Sequence, residues 1–255
     1  MNAKTYVLTA IISYLVSLFA LTPASSVLQL IQAENDNLSF SKASGSIWKG
    51  SVGVAQFNSQ EISDIYWSFT AWRLLTGELS FDVTANFLAN PITANIGTSI
   101  SNNLYINRLS TTIDAYTVGN LATLPVGELS GEFVIEIDSA NWSPNKTPHL
   151  LGQIIWNNAG VLVIEKANLG NIIINFIESP DNPLTATISN NSGDLELDGN
   201  LFVTHNGEYS LEAKILATPT ASRNLLQSLK YFARKTANRQ YEVNYSGKLS
   251  QLGLQ

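Results

Sequence analysis

The chain contains no cysteine, which excludes disulfide staples, thiolate-bound zinc, iron–sulfur clusters and thiol nucleophiles. Histidine is almost as scarce. His149 and His205 stand far apart and leave little material for a His-rich metal site or a general-base triad. Charged residues make up 13% of the 255 residues, against roughly 25% in an ordinary soluble domain, so disorder through charge excess is not expected. The balance is acidic, with 14 Lys and Arg against 20 Asp and Glu and a net charge of -6. Without a positive field to condense on phosphates, nucleic acid is not an expected partner. No Gly-x-Ser-x-Gly elbow, His-Glu-x-x-His pair, Walker loop or Gly-x-Gly-x-x-Gly fingerprint occurs. The composition points away from an enzyme, and no cofactor or metal is expected. A carboxylate pair of the glycosidase kind stays open as an alternative, because its geometry arises only in three dimensions.

Against this thin charge stands one long uncharged run. After Lys4 the next charged residue is Glu34, and the interval opens with the apolar stretch Tyr6–Leu21. About 20 helical residues cover roughly 30 Å of hydrocarbon, so the stretch is read as a membrane anchor with Lys4 on the cytoplasmic side. A cleaved secretory signal is the competing reading, since Thr22-Pro23-Ala24 is a loose small-x-small site, but the run exceeds a usual h-region of about 7–15 residues. Pro23 is followed by Val27-Leu28-Gln29-Leu30-Ile31, read as an extension of the apolar segment into the interface. The expected division is a cytoplasmic tip over 1–5, an anchor and interfacial extension over 6–31, and a periplasmic body over 38–255.

That body reads as strands. Gly207–Ile215 places Tyr209, Leu211, Ala213 and Ile215 on one face and Glu208, Ser210, Glu212 and Lys214 on the other. Phe133, Ile135 and Ile137 alternate in the same way with Glu132, Glu136 and Asp138. Further strands are expected over 52–57, 62–69, 78–87, 93–100, 152–156, 162–167, 172–177 and 186–189, divided by Gly, Asn, Pro and Ser clusters. The fold class is therefore mainly β: an elongated, curved antiparallel sheet or open sandwich built from hairpins, with an N-terminal transmembrane helix and a short C-terminal helix. Thr70 is placed to cap a short turn over 71–75 that Gly77 closes. Thr220 is placed to cap a helix over 221–235, where Leu225, Leu229 and Phe232 form a stripe that packs on the sheet or, alternatively, lies on a membrane surface. Gly-x-aliphatic segments recur at Gly45, Gly77, Gly127, Gly193 and Gly247, which suggests two similar halves over about 38–125 and 126–255. Gly45, Gly50, Gly77 and Gly199 are the expected structural turns.

Asp194, Glu196, Asp198 and Gly199 approximate the first half of a calcium loop, but His205 stands where a bidentate Glu is needed, so a strand with a solvent-facing acidic edge is the preferred reading. Five tryptophans are the costliest side chains to leave in water. Trp142 is read as a core or rim plug, and Trp48, Trp67, Trp72 and Trp156 are also candidates to line an apolar groove for a partner segment or a lipid chain.

The order of motifs resembles the type II secretion system protein N family, also called general secretion pathway protein N. The resemblance rests on the anchor running into Pro23-Ala24-Ser25, on Gly45-Ser46-Ile47-Trp48-Lys49-Gly50, on Trp67-Ser68-Phe69 and Trp72-Arg73-Leu74-Leu75, and on Gly77-Glu78-Leu79. Gly207-Glu208-Tyr209-Ser210-Leu211 and Tyr245-Ser246-Gly247-Lys248-Leu249 extend it to nearly the whole chain. More distantly, the chain resembles AsmA-like proteins, whose curved sheets offer apolar grooves for lipid. The resemblance implies a non-enzymatic, inner-membrane accessory component with other secretion proteins as partners. Contact would run through sheet edges or through the Trp-rich face, and a lipid-binding or lipid-transfer module is the alternative.

Overall fold

A computed structural model describes residues 3–35, 37–57, 60–101, 103–121, 128–143, 149–162, 166–177, 184–204 and 206–248. The chain divides into two compact units, Met1–Ile96 and Gly97–Gln255.

The first unit opens with two helices, α1 (Ala3–Ala20) and α2 (Ala24–Glu34), separated by the turn at Leu21-Thr22 and Pro23. Pro23 cannot donate a helical hydrogen bond and restricts the residue before it, so the apolar run breaks here into two helices. Among the described residues no helix is long and apolar enough to cross a membrane. The strands are β1 (Leu38–Ser41), β2 (Ser44–Gly45), β3 (Lys49–Phe57), β4 (Gln60–Phe69), β5 (Glu78–Phe87) and β6 (Asn90–Ser99), the last running across the boundary at Gly97. They lie in the order β1-β3-β4-β5-β6, with β2 paired to β3. A 3-10 helix, Ala71–Thr76, interrupts the path from β4 to β5. Gly77 ends it at φ 78°, the left-handed position expected of this glycine. Thr70 stands at the N-cap, where its carbonyl accepts the Arg73 amide at 3.1 Å, but its side chain makes no capping bond. Its hydroxyl instead donates to Asp82 Oδ2 on β5 at 3.1 Å.

The second unit contains β7 (Leu104–Asp114), α3 (Ala115–Leu121), β8 (Glu128–Trp142), β9 (His149–Leu162), β10 (Lys166–Ile177), β11 (Leu184–Asn191), β12 (Leu195–Val203), β13 (Glu208–Ala217), α4 (Arg223–Phe232), β14 (Arg234–Ala237) and β15 (Gln240–Lys248). The order is β7 through β13, then β15 and β14. Each neighbouring pair is antiparallel. β9 is longer than the expected 152–156, because shifts of register near Gly131 and Gly152 let its pairing with β8 continue. His149 occupies a half-buried strand position opposite Asn141. His205, Gly127 and Leu249 lie outside the described residues.

The C-terminal helix is shorter than expected at both ends. Ser222, not Thr220, is its N-cap, and its Oγ accepts the Leu225 amide at 3.0 Å. Lys235 is not helical either, since Arg234–Ala237 pairs with β15. α4 packs on the sheet: Leu229 joins Leu195, Ile215, Ala217, Ala221 and Tyr241 in a buried cluster, with Leu225 against it. Phe232, expected on the same stripe, is 44% exposed.

Candidate functional site

The Gly45–Gly50 segment turns a sequence motif into a clamp on the helices. Gly45 has φ 85°, which L side chains adopt only under strain, and a Cβ there would meet Lys49 O at 2.5 Å. The tight turn is closed by Ser46: its amide donates to Lys49 O, and its Oγ accepts the amides of Trp48 and Lys49 at 3.3 and 3.2 Å. This delivers Trp48 to the last turn of α1. The indole N–H donates to Phe19 O at 3.2 Å, and the ring meets Phe19 edge-on with centroids 4.9 Å apart. The same indole lies 4.9 Å from Phe69, which in turn lies 5.5 Å from Phe81. One residue earlier, the Ile47 amide donates to Thr22 O at 3.1 Å, and Pro23 bridges Ser46. Phe19 O, one of the last four carbonyls of α1, gains the Trp48 indole as a donor.

Trp67 is held beside Trp48 by strand register. Gly50 pairs with Trp67 across β3 and β4, and Trp67 Nε1–H donates to Ile47 O at 3.1 Å. Gly50 has no side chain for a direct reason: a Cβ would stand 2.5 Å from Trp67 Cζ2. Trp67 then forms part of an apolar cavity of about 490 Å³. Its roof is one stripe of α2, Ala24, Val27, Leu28 and Ile31, and its floor and walls are Phe40, Ile47, Val52, Ile65, Trp67, Phe81, Val83 and Ile96. The spacing 24, 27, 28, 31 is the i, i+3, i+4, i+7 pattern of one helix face. The segment read as an interfacial extension therefore faces the sheet. All twelve lining residues are apolar, and the volume is within the range of about 300–1,000 Å³ typical of small-molecule sites. The fully buried apolar residues described in this unit are Ala24, Val52 and Ala55, so the bulky side chains line open space and do not fill a core.

The opposite side of β5 and β6 is polar. Ser80 and Asn95 are 0% and 1% exposed. Asn95 Nδ2 donates to Ser80 Oγ and to Asp82 Oδ1, each at 2.9 Å, and Ser80 Oγ lies 3.1 Å from Asn95 Oδ1. Ser80 O accepts the Thr70 amide at 2.8 Å. This satisfied network fixes the start of the 3-10 helix. Trp72 on that helix is 62% exposed, apart from Trp48 and Trp67, and the Arg73 guanidinium lies 5.1 Å from its ring centroid.

Trp156 belongs to the second unit. It stacks on Phe133 with centroids 4.9 Å apart, and its indole N–H donates to Ser130 O at 2.9 Å. Trp142 at the end of β8 is exposed. Gly199 is a close-approach position, where a Cβ would stand 2.8 Å from Ala213 Cβ. The acidic run around it is a strand: Glu196 and Asp198 pair across to β13, while Asp194 accepts the Asn168 amide at 3.0 Å and the Thr220 hydroxyl at 2.9 Å.

Of the four tryptophans proposed as groove residues, the fold joins Trp48 and Trp67, and only Trp67 lines the cavity. Phe19, Phe69, Phe81 and the α2 stripe are not among the groove residues expected from the sequence, where the stripe is read as an interfacial extension. The i, i+3, i+4, i+7 spacing was the available signal for α2. No signal was available for the aromatic row, because it depends on which strands pair.

No curated protein and no solved structure matches the chain. The family model for type II secretion system (T2SS), protein N, matches residues 36–244, from just after α2 into β15. It takes in the clamp motif, the 3-10 helix and nearly every strand, and the chain is a member of the type II secretion system protein N family.

Proposed function

We propose that the chain is a non-enzymatic accessory component of the type II secretion machinery, anchored in the inner membrane by α1 and binding partners in the periplasm through the first unit. Family membership supplies the system. The observation that carries the binding role is the apolar cavity under α2, lined by one stripe of that helix and by strand residues. α1 supports the anchor. Its apolar side chains, among them Val7, Leu8, Ile11, Ile12, Val16 and Leu18, are each more than half exposed. Its 18 residues cover about 27 Å, short of a hydrocarbon core of roughly 30 Å by an amount that local thinning of the bilayer absorbs. Strand addition at the β14 edge is disfavoured, since that strand is four residues long and carries Arg234 and Lys235.

The test is photocrosslinking in living cells from a benzoylphenylalanine replacing Phe81 on the cavity wall, with Trp156 replaced as a second position. Adducts to another secretion protein from position 81 are the expected result. A second reading, a lipid-binding module, is favoured by the all-apolar lining and predicts phospholipid adducts from the same position. Absence of any secretion-protein adduct from both positions would overturn the accessory role.

A further inference from the structure

We infer that the 3-10 helix Ala71–Thr76 is a second membrane contact, with Trp72, Leu74 and Leu75 seated in the lipid surface that receives α1. The inference rests on the anchor reading above. Trp72, Leu74 and Leu75 are 62%, 55% and 91% exposed, three large apolar side chains on one short helix. Isolated exposed apolar residues are ordinary, but a cluster of this kind marks a contact surface.

The helix is firmly held, so the exposure belongs to the fold. Arg73 Nη1 lies 2.7 Å from Glu78 Oε2, Thr76 Oγ1 donates to Arg73 O at 2.8 Å, and Thr70 is tied to Ser80 and Asp82. Arg73 and Glu78 balance one another, and the third charge here, Asp82, accepts hydrogen bonds from Thr70 and Asn95 at the base of the helix, which lowers the cost of bringing the tip to a lipid boundary. A Trp with flanking aliphatic residues is the composition preferred at the headgroup level.

Its place in the fold selects lipid as the occupant. Phe69, two residues before the helix, lies 4.9 Å from Trp48, and Trp48 lies 4.9 Å from Phe19 in the last turn of α1. Two ring contacts thus join the start of the 3-10 helix to the end of the apolar helix. With α1 in the bilayer, that end is where the membrane surface lies, and the exposed tip is beside it.

The cysteine-free sequence makes the test direct. Leu75→Cys, Ile11→Cys and Glu61→Cys are labelled singly with an environment-sensitive nitrobenzoxadiazole, and the full chain is reconstituted in vesicles of phosphatidylethanolamine and phosphatidylglycerol carrying depth-calibrated spin-labelled lipids. Glu61 is exposed near the far end of β4, roughly 26 Å along the strand from Phe69, and serves as the aqueous reference. The label at 75 is expected to be quenched at a depth of about 5–10 Å within the headgroup and acyl boundary, the label at 11 deeper, and the label at 61 not at all. A water-like label at 75 beside a quenched label at 11 overturns the second contact while leaving the anchor standing. Water-like labels at both positions overturn both. A label at 75 that is shielded only in native membranes containing the secretion proteins assigns the tip to a protein partner and overturns the lipid contact.

Discussion

Trp48 engages two elements at once: its indole N–H donates to Phe19 O in α1, and its ring lies between Phe19 and Phe69. Trp48→Phe keeps an aromatic plug and removes the donor, so denaturant unfolding of the detergent-solubilised chain should register a loss of about 1 kcal/mol. Gly50→Ala should cost about 1–3 kcal/mol, because the new methyl meets the Trp67 ring and the backbone oxygens of Ser44 and Ser46. Gly53 on the same strand is the control. A Cβ there meets only the flexible Lys42 side chain, at 3.0 Å, and Gly53→Ala is expected to cost far less. Equal losses at the two glycines would count against close packing at Gly50 as the cause. Leu88 and Ala89 form the two-residue link between β5 and β6 with φ 52° and 65°, both left-handed. Such a link favours Asn-Gly, so Ala89→Gly should raise stability by about 1 kcal/mol, measured as a higher unfolding midpoint.

At the scale of elements, cross-strand register arranges charge. Arg234 of β14 pairs with Glu242 of β15, Glu242 with Lys214 of β13, and Lys214 with Asp198 of β12, so signs alternate across four strands. Arg234 and Glu242 lie 3.0 Å apart. Lys214→Glu would set three acids side by side, and a destabilisation of about 1 kcal/mol that shrinks in high salt is expected. A loss unchanged by salt would point to packing instead. The elements themselves were unevenly legible. β13 alternates cleanly, and Ala213 and Ile215 are buried as the pattern requires. β7 was not expected, because its inward face mixes Tyr105 with Asn107 and Thr111, while Leu104 and Ile106 face outward and erase the contrast. The end of α4 was misjudged because Arg234 and Lys235 continue a helical spacing locally, whereas pairing with β15 decides their conformation.

For the whole molecule, the anchor reading predicts that the full chain stays with the membrane fraction under alkaline carbonate extraction and that a variant lacking residues 1–20 is released. Retention of that variant would assign membrane attachment to other surfaces, and release of the full chain would remove the anchor. Local chemistry decided a good deal here. The scarcity of charge before Glu34, the period of two across the body and the absence of cysteine are properties of the sequence alone, and so was the order of motifs that pointed to the family now matched over 36–244. Periodicity reports which way a side chain points along its own strand or helix. It carries no information about which distant residue stands opposite. Trp48 and Trp67 meet Phe19 and α2 because β3 and β4 pair in the register that sets Gly50 against Trp67, and because the chain folds back after Pro23. The cavity and the clamp on α1 follow from that non-local pairing, which only the tertiary structure decided.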